Sequence, residues 1–385
     1  MVAGPVLSLA AVAGEQSGDL LGASVLAALA RHDRSLQCAG IGGAAMAGAG
    51  LERWWDISAL SVSGYVEVLR EYPRLHRMRE DLIARVRAWR PSCFLGIDAP
   101  DFNLAIEARL RRDSIPVVHF ISPSIWAWRR GRIDQIKNAV DHMLLVFPHE
   151  QEIYRQAGIP ATYVGHPMAD LIALTPDPQR ARAELGIGGD VPVLALLPGS
   201  RNSELKYLLG PFLETAAWIH ARRPEFEFVL PAASKGHYDR IVEWVRAAHL
   251  PASLRLRIVS GGSHNVLEAC DAALVASGTA TLETALFKKP MVIAYRMAWS
   301  NYQIMRRMAY LPHVDLPNIL CAQAVVPEFI QEAVEPAAMG AALLAQVDDQ
   351  ALQRQLVERF TALHVQLRRG CAERAAEIIM EVADG

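Results

Sequence analysis

The chain has 385 residues, enough for two domains with separate cores. Apolar residues make up 52% and charged residues 21%, an ordinary globular composition, and a net charge of -2 gives no electrostatic reason to expect nucleic acid as a partner. The five cysteines (Cys38, Cys93, Cys270, Cys321, Cys371) are scattered and never form a Cys-x-x-Cys pair, which argues against a disulfide framework or a zinc site and for a reducing compartment.

The apolar run 6–13 has no basic residue before it and meets Gly14-Glu15 at once, so it reads as a buried first strand rather than a signal-peptide core. No uncharged apolar run reaches the ~18 residues that suggest a membrane span. A cytoplasmic protein is expected, one still able to touch a membrane. Further strands are expected at 37–41, 93–97, 116–121 and 143–147, with helices near 17–31, 61–90, 101–112, 129–140 and 149–157. This alternation predicts an α/β unit with a parallel sheet covered on both faces.

Within 61–90, Pro73 is expected to divide the helix, because proline is costly inside one. Beyond it Leu75, Met78, Leu82, Val86 and Trp89 form one stripe, the pattern of core packing. Before it Val62, Tyr65, Val66, Val68, Leu69 and Tyr72 leave the segment apolar on most sides, with Arg70, Arg74, Arg77 and Arg79 close by. That piece is either a fully buried helix or one inserted shallowly beside anionic lipid.

Residues 165–178 carry turn signals and read as a linker. A second alternating series follows, with strands at 193–197, 226–230, 255–259, 272–275 and 291–295. From Asp348 onward the pattern is helical and amphipathic, through Leu352, Leu356, Phe360, Leu363 and Leu367. Two doubly wound domains with a cleft between them are the economical architecture.

In such sheets ligands bind at strand ends, which directs attention to four loops. Gly14-Glu15-Gln16-Ser17-Gly18-Asp19 follows the first strand and opens a helix. Its free N–H groups suit an anion or a sugar hydroxyl, with Glu15 and Ser17 as candidate contacts; the plainer alternative is a helix start capped by Ser17 or Asp19. Gly40-Ile41-Gly42-Gly43 lacks the third glycine of a dinucleotide fingerprint and reads as a turn. In the second loop, 96–103, Asp98 ends a buried strand, where a carboxylate can take a proton from an attacking hydroxyl, whereas Asp101 reads as a helix cap.

The third loop, Ser122-Pro123-Ser124-Ile125-Trp126-Ala127-Trp128-Arg129-Arg130, offers tryptophans to a sugar ring and a basic cluster to an anion. Its alternative places Trp126 in the core and the arginines on a solvated helix face. In the fourth, Leu197-Pro198-Gly199-Ser200-Arg201, backbone donors and a guanidinium suit a diphosphate. A later segment, Ser277-Gly278-Thr279-Ala280-Thr281-Leu282-Glu283, could set Ser277, Gly278 and Thr279 against phosphate and Glu283 against ribose hydroxyls. No Asp-x-Asp occurs and the histidines are dispersed, so no metal is expected, and Arg201 and helix N-termini must stabilise the leaving charge.

These motifs, with Val164-Gly-His-Pro167, Tyr295-Arg-Met297 and Leu316-Pro-Asn-Ile319, occur in the order seen in the lipid A disaccharide synthase family of Gram-negative bacteria, which the chain resembles over nearly its whole length. The resemblance implies a GT-B fold: two Rossmann-like domains, 1–168 and 169–345, facing a central cleft, with 346–385 packing back on the first. It implies transfer of 2,3-diacylglucosamine from UDP to the 6-hydroxyl of 2,3-diacylglucosamine 1-phosphate, with inversion. Because such substrates must be drawn from a bilayer, the apolar piece with Val66, Val68 and Leu69 is expected to bind anionic lipid peripherally at the inner face of the cytoplasmic membrane. Asp98 falls where the family's catalytic base is proposed. Arg201 and Asn318 fall at positions implicated in activity, and Glu283 where related transferases hold ribose. No cofactor is implied beyond the UDP-sugar donor. One departure is Phe147-Pro148-His149-Glu150, where Leu-Pro-Phe-Glu is expected, and it bears on local packing.

Two other GT-B activities fit less well, a UDP-N-acetylglucosamine 2-epimerase and a peptidoglycan transferase, because the first-domain motifs carry acceptor specificity. A non-catalytic UDP-sugar sensor would tolerate alanine at position 98, whereas Asp98 and Arg201 are both present.

Overall fold

A computed structural model describes residues 6–32, 35–60, 65–126, 130–308 and 313–385. The chain divides into two compact units, one of Met1–Asp170 with Leu367–Gly385 and the other of Leu171–Gln366.

The first unit is built on strands β1 (Leu7–Ala13), β2 (Leu36–Gly42), β3 (Leu51–Asp56), β4 (Cys93–Ile97), β5 (Val117–Phe120), β6 (His142–Leu145) and β7 (Ala161–Tyr163). They form one parallel sheet of order β3-β2-β1-β4-β5-β6-β7. The central strands β4 and β5 are buried along their whole length, which is why the sequence there runs apolar without alternation. Val12, Phe94, Val117 and Met143 from the sheet pack with Leu82, Val86 and Leu110 from its helices.

The second unit repeats the plan with β8 (Val193–Leu197), β9 (Glu227–Ala232), β10 (Leu256–Ser260), β11 (Ala272–Ala276), β12 (Met291–Tyr295) and β13 (Glu328–Ile330), ordered β10-β9-β8-β11-β12-β13 and again parallel. Phe212, Phe226, Phe228, Leu194 and Leu274 anchor its core. Strand order reverses between β1 and β4 in one sheet and between β8 and β11 in the other. The loops leaving those strands therefore diverge to opposite faces and leave a crevice, the usual ligand position of this architecture.

Several expectations need correcting. Strands β3, β7 and β13 were not anticipated; each is the edge of its sheet. Pro73 does not divide its helix, which runs unbroken over Tyr65–Trp89. Burial of Met78, Leu82, Ile83 and Val86 offsets the proline's cost of about 3 kcal/mol. The side chains of Val66, Val68 and Leu69 lie outside the described residues.

The stretch expected as a linker holds the helix Pro167–Leu171, and the unit boundary falls within it. Only Leu367–Gly385, not all of 346–385, groups with the first unit. Helix Gln350–Leu367 buries Leu356, Phe360 and Leu363, and His364 Nδ1 meets Lys288 Nζ at 2.6 Å, which fixes the helix in the second unit. The last helix, Cys371–Asp384, is tied to the first by Asp170, which accepts hydrogen bonds from Gly370 N at 3.0 Å and Cys371 N at 2.6 Å.

Cys38, Cys93, Cys270 and Cys371 are buried, Cys321 is partly so, and all are free thiols. Burial pushes the thiols of Cys38 and Cys93 up to about 12, so both behave as small apolar side chains.

Candidate active site

At the β1/β4 crevice a cavity of about 540 Å3 is lined by Gly14, Glu15, Gln16, Leu60, Leu75 and residues 98–102. The loops after β1 and β4 touch so closely that a methyl added at Gly14 would lie 2.2 Å from Ala99 Cβ. Asp98, half-buried, leaves β4 with φ +50 and is followed by Ala99 at φ +44. Two successive non-glycine residues in the left-handed region cost about 1–2 kcal/mol each and persist only where the surroundings fix them. Here Asp98 N donates to Phe120 O at 2.9 Å, and Asn103 Nδ2 donates to Asp98 O at 2.8 Å.

Glu15 joins Asp98 on the cavity wall, whereas Ser17 is exposed and does not line it. Asp101 is no cap: its side chain pairs with Arg132. Asp19 does not cap its own helix either. Its buried carboxylate accepts from Gly43 N (2.6 Å), Ala45 N (3.0 Å) and Met46 N (3.1 Å), so it caps helix Ala44–Gly48. This gives the Gly40–Gly43 motif its physical reason: a methyl at Gly43 would meet Asp19 Oδ2 at 2.5 Å, and one at Gly40 would meet Ala11 O at 2.0 Å.

In the described part of the tryptophan loop, Ser122, Pro123 and Ile125 are buried and Ser124 is exposed. Ser122 Oγ is buried at 2.7 Å from the Tyr154 hydroxyl and donates to Pro123 O at 3.0 Å, so it has little left for a ligand. Trp126 packs edge-on against Phe147 and His149. Burial pushes the Glu150 carboxyl up to about 7. His149 stacks on Phe147 at 5.7 Å, so the departure there keeps the aromatic contact. Trp128 and Arg129 lie outside the described residues.

In the second unit a cavity of about 340 Å3 is lined by Gly199, Ser200, Arg201, Glu204, Ser263, Ser277, Gly278, Thr279 and Glu283, among others. The β8/β11 crevice thus gathers Arg201, Ser277, Gly278, Thr279 and Glu283 in one place. Some donors expected for a diphosphate are already engaged. Glu204 Oε2 accepts from Ser200 N at 2.8 Å and Arg201 N at 3.1 Å, reaching back to satisfy N–H groups at the start of helix Asn202–His220. Gly278 N donates to Asp315 Oδ1 at 3.3 Å.

The Arg201 guanidinium, whose side chain is 69% exposed, pairs with Glu204 Oε1 at 3.3 Å and lines the same cavity, and helix Thr279–Leu286 begins at that wall. Glu283 lies 3.6 Å from His264 Nε2. That contact, outweighing burial, holds the His264 proton above the usual histidine range.

Asn318 does not face the cavity. Its buried amide donates to Val326 O (2.9 Å) and Glu328 Oε1 (2.8 Å) and accepts from Val325 N (2.7 Å) and Val326 N (3.0 Å). All four positions of the amide are filled, so Asn318 builds the loop that carries Asp315. Burial first, then the nearby Glu328 charge, pushes the Asp315 carboxyl up to about 7.

Sequence reasoning missed Glu204, Asp315 and His264. Only Glu204 had a legible signal, its position three residues after the helix entrance. Among the described residues no group of three or more His, Cys, Asp or Glu is placed to hold a metal ion.

Comparison with known proteins bears on this geometry. The profile of the family described as lipid-A-disaccharide synthetase matches residues 9–379. The lipid-A-disaccharide synthase of Thiobacillus denitrificans (strain ATCC 25259 / T1) is 50% identical over 368 residues, 96% of this chain and 98% of that protein. That of Cupriavidus pinatubonensis (strain JMP 134 / LMG 1197) is 49% identical over 97% of this chain and 93% of its own. Among solved structures, the glycotransferase of kitacinnamycin superposes with a TM-score of 0.67 at 17% identity, covering 98% of this chain and 99% of that one. A UDP-GlcNAc 2-epimerase from Neisseria meningitidis bound to UDP-GlcNAc gives a TM-score of 0.64 at 11% identity, covering 98% of each chain. At such identities these two likenesses speak to the fold alone.

Proposed function

We infer the reaction of this chain from its family: it belongs to the lipid-A-disaccharide synthases, matched from residue 9 to residue 379, and is a GT-B glycosyltransferase of lipid A biosynthesis. The donor we propose is UDP-2,3-diacylglucosamine and the acceptor 2,3-diacylglucosamine 1-phosphate. The observation that carries the donor reading is the single cavity shared by Arg201, Ser277, Thr279 and Glu283 at the strand-order reversal of the second unit. A guanidinium beside a helix N-terminus suits a diphosphate, and a carboxylate one turn along suits two ribose hydroxyls.

In the proposed chemistry Asp98 accepts the proton of the acceptor's 6-hydroxyl while that oxygen attacks the anomeric carbon opposite the diphosphate. The bond to UDP breaks, its electrons leave on the diphosphate, and configuration inverts. Arg201 and the helix start at Thr279 stabilise that charge without a metal. Glu15, on the wall shared with Asp98, is placed for the acceptor sugar, and Arg129 remains the candidate for the acceptor phosphate.

Among the described residues no helix is long and apolar enough to cross a membrane. Diacylated substrates must nevertheless leave a bilayer. The apolar sequence of 62–72 beside Arg74, Arg77 and Arg79 supports peripheral binding to anionic lipid at the inner face of the cytoplasmic membrane.

Incubating the protein with both monosaccharide substrates and weighing the products tests the reading: a disaccharide monophosphate and UDP are expected, and their absence refutes it. Asp98→Asn should lose about 10²–10⁴ in turnover while still binding UDP. Near-normal turnover would remove Asp98 from the role.

A further inference from the structure

Behind the Asp98 corner lies a charged pair that the reaction above does not use. His119, in the middle of β5, stands opposite Gly96 of β4, and its Nδ1 is 2.6 Å from Glu107 Oε1 of helix Pro100–Arg112. Both side chains are wholly buried. Gly96 is the clearance for this contact, since a methyl there would sit 1.8 Å from Glu107 Oε1 and 3.2 Å from His119 Nδ1.

A buried ion pair loses so much hydration that apolar residues of the same volume often serve stability as well or better. This one also leaves a buried carboxylate oxygen, Glu107 Oε2, without a partner. Its place in the fold suggests a use. The two elements it joins are the two that hold Asp98. Phe120, next to His119 on β5, accepts the Asp98 N–H, and Asn103, one turn before Glu107 on the helix, donates to the Asp98 carbonyl.

We propose that the Glu107–His119 pair positions Asp98 for catalysis, by locking β5 to the helix that fixes the left-handed corner. The inference rests on Asp98 being the base. The charged groups that reach the imidazole are Glu107 from the helix and Asp98 from the end of β4; its neighbour on β6 is the apolar Met143. Burial opposes the proton on His119, but those two carboxylates outweigh it and hold it above the ordinary histidine range.

The test uses the whole enzyme, with Glu107→Gln, His119→Gln, and the apolar double replacement Glu107→Leu/His119→Phe, which should fold even if the single variants do not. Each should lower kcat roughly tenfold to 100-fold with UDP affinity unchanged, as small misplacements of a reacting group do. In an Asp98→Asn background none of these changes should lower kcat further. Full turnover in the folded apolar double variant overturns the proposal. So does a loss of the same size in both backgrounds, the signature of packing alone. If Asp98→Asn itself turns over normally, the base reading fails and takes the proposal with it. That outcome is distinct from an inactive Asp98→Asn whose cycle with the pair is additive.

Discussion

Substitution of Gly199 by alanine tests the donor loop. Gly199 has φ +114, and an added methyl would lie 2.4 Å from both Cβ and Oε2 of Glu204. The Cβ cannot yield, being fixed to helix Asn202–His220, so the loop must move off it and the Glu204 carboxylate loses Ser200 N and Arg201 N. A non-glycine residue in this region of φ costs about 1–2 kcal/mol. Each lost hydrogen bond to a charged acceptor is worth about 1.5–3 kcal/mol when buried. We take about 1 kcal/mol each, because the carboxylate is 21% exposed and water replaces part of the loss. The sum is about 3–4 kcal/mol, borne by one loop rather than by the core. If UDP requires the closed loop, about 3 kcal/mol lowers its affinity on the order of 100-fold. Calorimetric titration of UDP into wild type and Gly199→Ala measures this directly, with circular dichroism to confirm folding. A folded variant that binds UDP within threefold of wild type would refute the reasoning.

Three further outcomes are expected. Transferase activity should persist in excess EDTA; complete inhibition reversed by magnesium would show that a metal shares the diphosphate with Arg201. Changing Val66, Val68 and Leu69 together to Ser should release the protein from anionic vesicles while it stays folded and active on detergent-dispersed substrate, whereas unfolding would mark the segment as core. Glu150, raised by burial to about 7, binds its proton more tightly folded than unfolded. Its contribution to stability is therefore complete below about pH 4.5 and lost as pH rises through about 7. Between pH 5 and pH 8 wild type should lose on the order of 2–3 kcal/mol that Glu150→Gln does not, read from urea denaturation at each pH.

The interior of each sheet was legible because strands covered on both faces must be apolar throughout, as Val193–Leu197 and Ala272–Ala276 are. The edges were not. β3 interleaves Glu52, Arg53 and Asp56 with two tryptophans and buries little beyond Leu51, while β7 and β13 have three residues each, all only partly buried. No period survives in so short and half-wet a segment. Pro73 misled because the rule against proline prices only the lost hydrogen bond and the ring's clash, while a 25-residue helix can offset both through the core residues of its later turns. The loops that build the crevices were legible as glycine, serine and acidic residues at strand ends. The direction each side chain faces was not.

That second failure has one physical source. Loops entered through left-handed or glycine-only corners begin helices whose first N–H groups need acceptors, and in this chain carboxylates supply them. Asp19 serves Gly43, Ala45 and Met46; Glu204 serves Ser200 and Arg201; Asp315 serves Gly278; and Glu150 accepts from Phe147 N at 3.1 Å. In sequence these acids resemble catalytic ones, since they sit in or beside the same motifs. What separates them is how much acceptor capacity the backbone has already taken. By that measure Asp98 stands apart: its carboxylate accepts no hydrogen bond among the described residues, while the bonds that fix it are made by its backbone N–H and carbonyl. Glu283 is similar, in contact with His264 and otherwise facing the cavity. An acid held by its backbone with its oxygens unspent can exchange a proton or grip a hydroxyl, whereas an acid spent on N–H groups can only hold a loop.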